Sequence, residues 1–314
     1  MLKNILLLLL VSNLFALENL VPAKSFEATG TVQSIVHTQN KLYAGTDNGT
    51  VEVFDIVSND KIQTIKLPNI KDFMGDEIAA KIYSIDIIED KILIVSQGMK
   101  GYRNIFLYTN NSLVKIIDIN QKMFIQKASF VSSDFILFGL LSNQIGLYNI
   151  ATQKQIYLKQ VSHSSFSHFM LNENKTKFAT TDESGKVRIL DVNTAKQLEV
   201  PKAKNLDKVY QLDYKTGVVL TAGQDRKAVV YKNSSSYSLG FDFLLYACAL
   251  SPNAKLGAVA YNEQNEVLIF DIKTQKYLYT LSAQEATLTQ ILFINEKELF
   301  VSSDSQIINY YKLQ

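Results

Sequence analysis

The segment Val51-Glu52-Val53-Phe54-Asp55-Ile56 alternates in character and ends in an aromatic residue and an acid. A period of two places successive side chains on opposite faces of a strand. The same form returns at Val187-Arg188-Ile189-Leu190-Asp191-Val192 and at Val267-Leu268-Ile269-Phe270-Asp271-Ile272. Weaker copies are Ile105-Phe106-Leu107-Tyr108, Ile145-Gly146-Leu147-Tyr148-Asn149-Ile150, Ala228-Val229-Val230-Tyr231 and Ile308-Asn309-Tyr310-Tyr311-Lys312-Leu313. The marker position falls at Phe54, Tyr108, Tyr148, Leu190, Tyr231, Phe270 and Tyr311, in steps of 54, 40, 42, 41, 39 and 41 residues. A period near 40 built of short strands is the spacing of a β-propeller blade, so seven blades are expected.

Each unit reads as four strands. In the first, these are residues 32–37, 41–46, 50–56 and 61–67, from the inner strand outward. Between the second and third lies Gly45-Thr46-Asp47-Asn48-Gly49, a hairpin turn whose Asn-Gly pair tolerates positive φ. Comparable turns carry Asp182, Asp225 and Asp304. These acids read as structural, because Asp side chains accept bonds from backbone N–H groups two residues on. The last unit offers three strands, at residues 289–295, 298–302 and 308–313, and then the chain stops. Its missing fourth strand is expected from Ala23-Lys24-Ser25-Phe26-Glu27-Ala28-Thr29, which would close the ring and leave no open edge.

The N-terminus has the order of a secretory signal: a basic start at Lys3, an apolar run from Ile5 to Val11, and the small residue Ala16. We read residues 1–16 as a signal peptide and 17–314 as one propeller domain. The run is shorter than the about 20 residues that span a bilayer. The one cysteine, Cys248, sits in an apolar run and reads as a buried small hydrophobe, so no internal disulfide is possible. Export without disulfides points to a bacterial periplasm. The formal net charge is +2, from 32 basic and 30 acidic residues without a basic block. That balance argues against nucleic acid as the partner.

No catalytic, metal or cofactor site stands out. The lone cysteine has no implied base. His163 and His168 are five residues apart, a spacing that leaves them unconstrained as ligands on a strand or loop. No C-x-x-C-H is present, so covalent haem is not expected. Neither a P-loop nor a G-x-G-x-x-G is present. The expectation is a non-enzyme without cofactors. A metal-dependent hydrolase or lactonase with ligands gathered in the channel stays open as an alternative, as does an envelope-assembly propeller.

The period and the V-x-[VI]-[FL]-D strands at Phe54-Asp55, Leu190-Asp191 and Phe270-Asp271 resemble the WD40-like propeller family across the whole mature chain. The chain has no Trp and lacks that family's Gly-His dipeptide, so its His–Asp network does not carry over. In overall character the chain also resembles the accessory propeller proteins of periplasmic nitrate reductase systems in Campylobacter-like bacteria. That resemblance implies a helper of nitrate respiration acting through contacts with a periplasmic reductase or its electron-transfer components. The chain itself is expected to be a monomer.

One asymmetry points to where a partner would bind. The first repeat step exceeds the others by about 14 residues. The excess divides between residues 68–78, which join blades 1 and 2, and residues 97–103, within blade 2. Both connections emerge on the same face of an up-and-down blade. They carry Phe73, Met74, Met99, Tyr102 and Arg103, residue types enriched in the cores of interfaces. These five are the candidate partner-binding residues.

Overall fold

The computed structural model describes residues 17–233 and 235–314. The expected signal segment, 1–16, lies outside the described residues.

Seven blades, each a sheet of four antiparallel strands, follow one another along the chain, and the sixth gains a fifth, parallel strand. Blade 1 comprises Val32–Thr38, Lys41–Thr46, Thr50–Asp55 and Lys61–Lys66. Blade 2 comprises Ile82–Ile88, Lys91–Gln97, Arg103–Thr109 and Ser112–Ile117. Blade 3 comprises Ile125–Phe130, Phe135–Leu140, Gln144–Asn149 and Lys154–Gln160. Blade 4 comprises Phe166–Leu171, Lys177–Asp182, Val187–Asp191 and the short Gln197–Glu199. Blade 5 comprises Val209–Lys215, Val218–Gly223, Lys227–Lys232 and Ser235–Gly240. Blade 6 comprises Cys248–Leu250, Leu256–Ala260, Val267–Asp271 and Tyr277–Leu281. Blade 7 takes Leu288–Phe293, Glu298–Ser303 and Ile307–Lys312 from the C-terminus, and its outer strand, Lys24–Glu27, from the N-terminus.

The two middle strands of each blade are covered on both faces by neighbouring blades. Their sequences are therefore almost continuously apolar, as at Leu42-Tyr43-Ala44-Gly45 and Ile92-Leu93-Ile94-Val95. The outer strands face solvent and carry the polar residues, as at Lys61–Lys66. The repeated marker is a core residue: Phe54, Tyr148, Leu190, Tyr231, Phe270 and Tyr311 are buried. Tyrosine hydroxyls then cross between blades. Tyr148 donates to the Ile116 carbonyl at 3.2 Å, Tyr157 to Val192 at 2.6 Å and Tyr237 to Ile272 at 2.7 Å. The hairpin glycine Gly49 has φ of 79°, as its Asn-Gly turn requires.

The ring closes as the sequence indicates, and more firmly. Lys24–Glu27 pairs antiparallel with Ile307–Lys312, with Phe26 opposite Ile308. Phe26 is 1% exposed and wedges edge-on between Phe54 of blade 1 and Phe300 of blade 7, at centroid distances of 5.6 and 5.8 Å. A second link follows at Glu52, whose carboxylate is buried in blade 1. It accepts from the Thr29 N–H at 3.0 Å, from the Thr29 hydroxyl and from Lys61 at 3.0 Å. Burial raises its pKa, but the Thr29 and Lys61 hydrogen bonds outweigh that and hold the carboxyl below its ordinary range. A third link is absent from the sequence reading. Glu18–Leu20 adds parallel to the outer strand of blade 6, with Leu20 opposite Leu281. The N-terminal segment therefore touches blades 6, 7 and 1. Among the described residues no helix is long and apolar enough to cross a membrane.

Truncating Phe26 removes a ring packed on both sides of the closure. Phe26→Ala is expected to cost about 3–5 kcal/mol of stability, read as a lower urea midpoint. A shift no larger than that of a surface substitution would show that closure does not depend on this wedge.

Candidate functional site

The two insertions meet. Residues Ile70–Lys71 and Glu77–Ile78 pair as a two-stranded hairpin, and Met99–Gly101 forms one 3-10 turn beside it. Ile70, Lys71 and Glu77 of the hairpin and Met99 of the turn line one cleft, which Asn104 and Ile119 complete. The five candidate residues divide within this region. Phe73 and Met74 stand at the hairpin tip, 100% and 80% exposed. The tip is held by Asp72, whose carboxylate accepts from the Met74 and Asp76 N–H groups at 2.8 and 2.9 Å. Met99 faces the cleft. Tyr102 turns away and packs on Phe124 at 4.9 Å. Arg103 stacks its guanidinium over Tyr83 at 4.0 Å and donates to the Gly101 and Tyr102 carbonyls. Desolvation lowers the Arg103 pKa. Arg103 and Tyr102 thus brace the insertion, while Phe73 and Met74 stand exposed.

A second site lies in the channel, and the sequence reading did not find it. Six inner strands carry a β-bulge near their start. The bulge turns the next residue inward. These residues, with Cys248 at the head of the blade 6 strand, are Ser34, Ser84, Lys127, His168, Gln211, Cys248 and Gln290, one from each blade. All line a cavity of about 350 Å³ on the ring axis. The signal in the sequence is a polar residue set between apolar neighbours, as in Val32-Gln33-Ser34-Ile35, Ile125-Gln126-Lys127-Ala128 and Leu288-Thr289-Gln290-Ile291. Because these residues differ in kind, no residue-type motif marks them.

Most of this ring bonds to the next blade. Gln290 accepts from the Ile35 N–H at 2.9 Å and donates to the Ile35 carbonyl at 3.0 Å. Ser34 accepts from Ile85 at 3.3 Å, and Ser84 from Ala128 at 3.2 Å. His168 Nδ1 accepts from Leu212 at 3.5 Å. The Cys248 thiol donates to the Gln211 carbonyl at 3.6 Å, and Gln211 donates to Thr289 at 2.6 Å. Two residues further along their strands, Asp86 accepts from Phe130 at 2.7 Å and Asp213 from Leu250 at 2.8 Å.

Between blades 3 and 4 the link is side chain to side chain. Lys127 Nζ lies 2.7 Å from His168 Nε2. The amine also approaches Met170 Sδ at 4.0 Å and the Phe169 ring at 5.7 Å. Desolvation pushes the Lys127 amine down to about 8, against the pull of Asp86 and Asp213. Desolvation first, and then the Lys127 charge, hold His168 well below its ordinary value. Burial raises the Asp86 carboxyl, opposed mainly by the Phe130 N–H. Burial and the nearby Asp213 raise the Cys248 thiol, so it is held protonated. His163 is exposed in the loop before the strand, while His168 lines the channel. Among the described residues no group of three or more His, Cys, Asp or Glu side chains is placed to hold a metal ion.

Three of the four repeated turn acids, Asp47, Asp182 and Asp225, do structural work, whereas the Asp304 side chain is exposed. Asp47 accepts from Thr31 at 2.8 Å and Asp225 from Leu206 at 2.9 Å, each fastening a hairpin to the loop that enters its blade. Asp182 pairs with Arg188 at 2.7 Å and also accepts from Ser184 at 2.9 Å.

No family model matches the chain, and no curated protein matches it in sequence. Among solved structures, the β-propeller domain of Cps50 (Swd1) from Myceliophteria thermophila superposes with a TM-score of 0.75 over 93% of this chain and 99% of that one. The two are 13% identical, so the likeness is one of fold: a seven-bladed propeller.

Lys127 makes stability depend on pH. Its amine titrates near 8 in the folded protein and near ~10.4 in an unfolded chain. Between these values the unfolded chain holds more protons, so this group's contribution rises with pH through that window and is lost as pH falls toward 8. Lys127→Met removes the dependence. The melting temperature of the variant relative to wild type is expected to be higher at pH 7 than at pH 10.5. A difference that does not change with pH would contradict the depressed pKa.

Proposed function

We propose that this protein is a non-catalytic interaction scaffold of the periplasm that captures a protein partner on the face bearing the blade 1–2 hairpin. The observation that carries the reading is the exposure of Phe73 and Met74 at the tip of a fastened hairpin. Large apolar side chains cost free energy when left in water, by about 25 cal/mol per Å². Presenting two of them on a braced loop suits a contact that buries them. Rigid scaffolds commonly carry binding on such loops. Lys71 and Glu77 at the base of the hairpin supply a polar rim.

The partner class we favour is a respiratory enzyme of the periplasm, with a periplasmic nitrate reductase as the specific case. This rests on the export signal read at residues 1–16 and on the resemblance to accessory propellers of such systems. Maturation or assembly of the enzyme is then the step served, and no cofactor of the propeller's own is required.

The test uses the purified propeller and a purified periplasmic nitrate reductase. The double variant Phe73→Ala, Met74→Ala is expected to bind about 30-fold more weakly, the loss of one hot-spot residue worth roughly 2 kcal/mol. Its melting temperature should be unchanged, because neither side chain is part of the core. Equal binding by the double variant would remove the hairpin tip from the interface. No binding by the wild-type protein would reject the reductase as partner.

A further inference from the structure

The Lys127 amine lies 2.7 Å from His168 Nε2, and the Leu212 N–H lies 3.5 Å from the other ring nitrogen. The imidazole brings no negative charge to the amine, which otherwise lies near the Met170 sulfur at 4.0 Å and the Phe169 ring at 5.7 Å. Desolvation in these surroundings favours the neutral amine over the ammonium. The charged groups that bear on the amine are Asp86 of blade 2 and Asp213 of blade 5, and His168 of blade 4 touches it.

The amine is reachable from the channel. Lys127 is partly exposed and lines the cavity of about 350 Å³, although protein surrounds the channel on all sides. A reachable neutral amine is a nucleophile.

We propose that Lys127 is a reversible covalent binding site for small carbonyl compounds, of the aldehyde and 2-oxo acid class, that enter through the channel. The lone pair on Nζ adds to the carbonyl carbon, and the π electrons of the C=O bond move to oxygen. Transfer of one proton from nitrogen to that oxygen gives a carbinolamine. Loss of one water, which takes the second nitrogen proton, leaves a neutral imine. No oxidant or reductant takes part, and water reverses the reaction. The site captures its ligand without turning it over, and it is separate from the partner face at Phe73.

The test is reductive trapping with glyoxylate, which is both an aldehyde and a 2-oxo acid. Cyanoborohydride delivers hydride to the imine and fixes a carboxymethyl group on the lysine that formed it, and peptide mapping then locates it. In wild-type protein at pH 7.5, Lys127 is expected to be labelled at least about tenfold faster than any surface lysine, whose ordinary pKa of ~10.4 keeps it charged. Its labelling rate should rise with a midpoint near 8. His168→Gln places a carbonyl acceptor beside the amine and favours the ammonium, so labelling at Lys127 should fall several-fold while the melting temperature confirms folding. Labelling spread over surface lysines with Lys127 no faster in wild-type protein would overturn the proposal, and so would a midpoint near 10.

Discussion

Everything in this ring depends on how the inner edge of each blade is satisfied. An innermost strand pairs with one neighbour and leaves its other row of N–H and C=O groups unpaired. Seven such edges meet around the channel, and a buried group left without a partner costs about 1–3 kcal/mol. The protein meets this with side chains: Gln290, Ser34, Ser84, Asp86, His168 and Asp213 each accept from a backbone N–H of the next blade. The same bonds that satisfy the edges set the spacing between blades. The outer framework, with tyrosine hydroxyls crossing between sheets and the N-terminal segment sewn across three blades, then holds a ring whose centre is already tied.

Lys127 stands out in this arrangement. Where the other linked neighbours meet through side chain and backbone, blades 3 and 4 meet through two titratable side chains. His168 is shared between Lys127 on one side and the Leu212 backbone on the other. Burial against this uncharged side chain, the Met170 sulfur and the Phe169 ring favours a neutral amine. A structural need at one blade junction thus creates chemical character at the next.

Much of the fold was legible in the sequence because the middle strands of each blade are buried on both faces. Burial forces the runs of Val, Ile, Leu and aromatic residues that gave the period, and the Asp-rich turns punctuate them. The missing outer strand of blade 7 was legible by arithmetic, since three strands leave an edge that Lys24–Glu27 can fill. The parallel addition of Glu18–Leu20 to blade 6 was not, because a three-residue strand has no period of its own. At the insertions, spacing located the region and residue type suggested five side chains. Spacing does not say which way a side chain turns, and Tyr102 and Arg103 turn inward to Phe124 and Tyr83. The channel ring escaped because its seven residues share a position and a direction, set by a backbone bulge, while differing in chemistry.

The most direct measurement is amide hydrogen exchange at the channel edge. If side chains from the preceding blade satisfy these groups, the N–H groups of Ile35, Phe130, Leu212 and Leu250 will exchange as slowly as the ladder amides within the blades, although no strand pairs with them on that side. Rapid exchange at these four positions, with the ladders still protected, would contradict the account and leave the ring held by its outer packing alone.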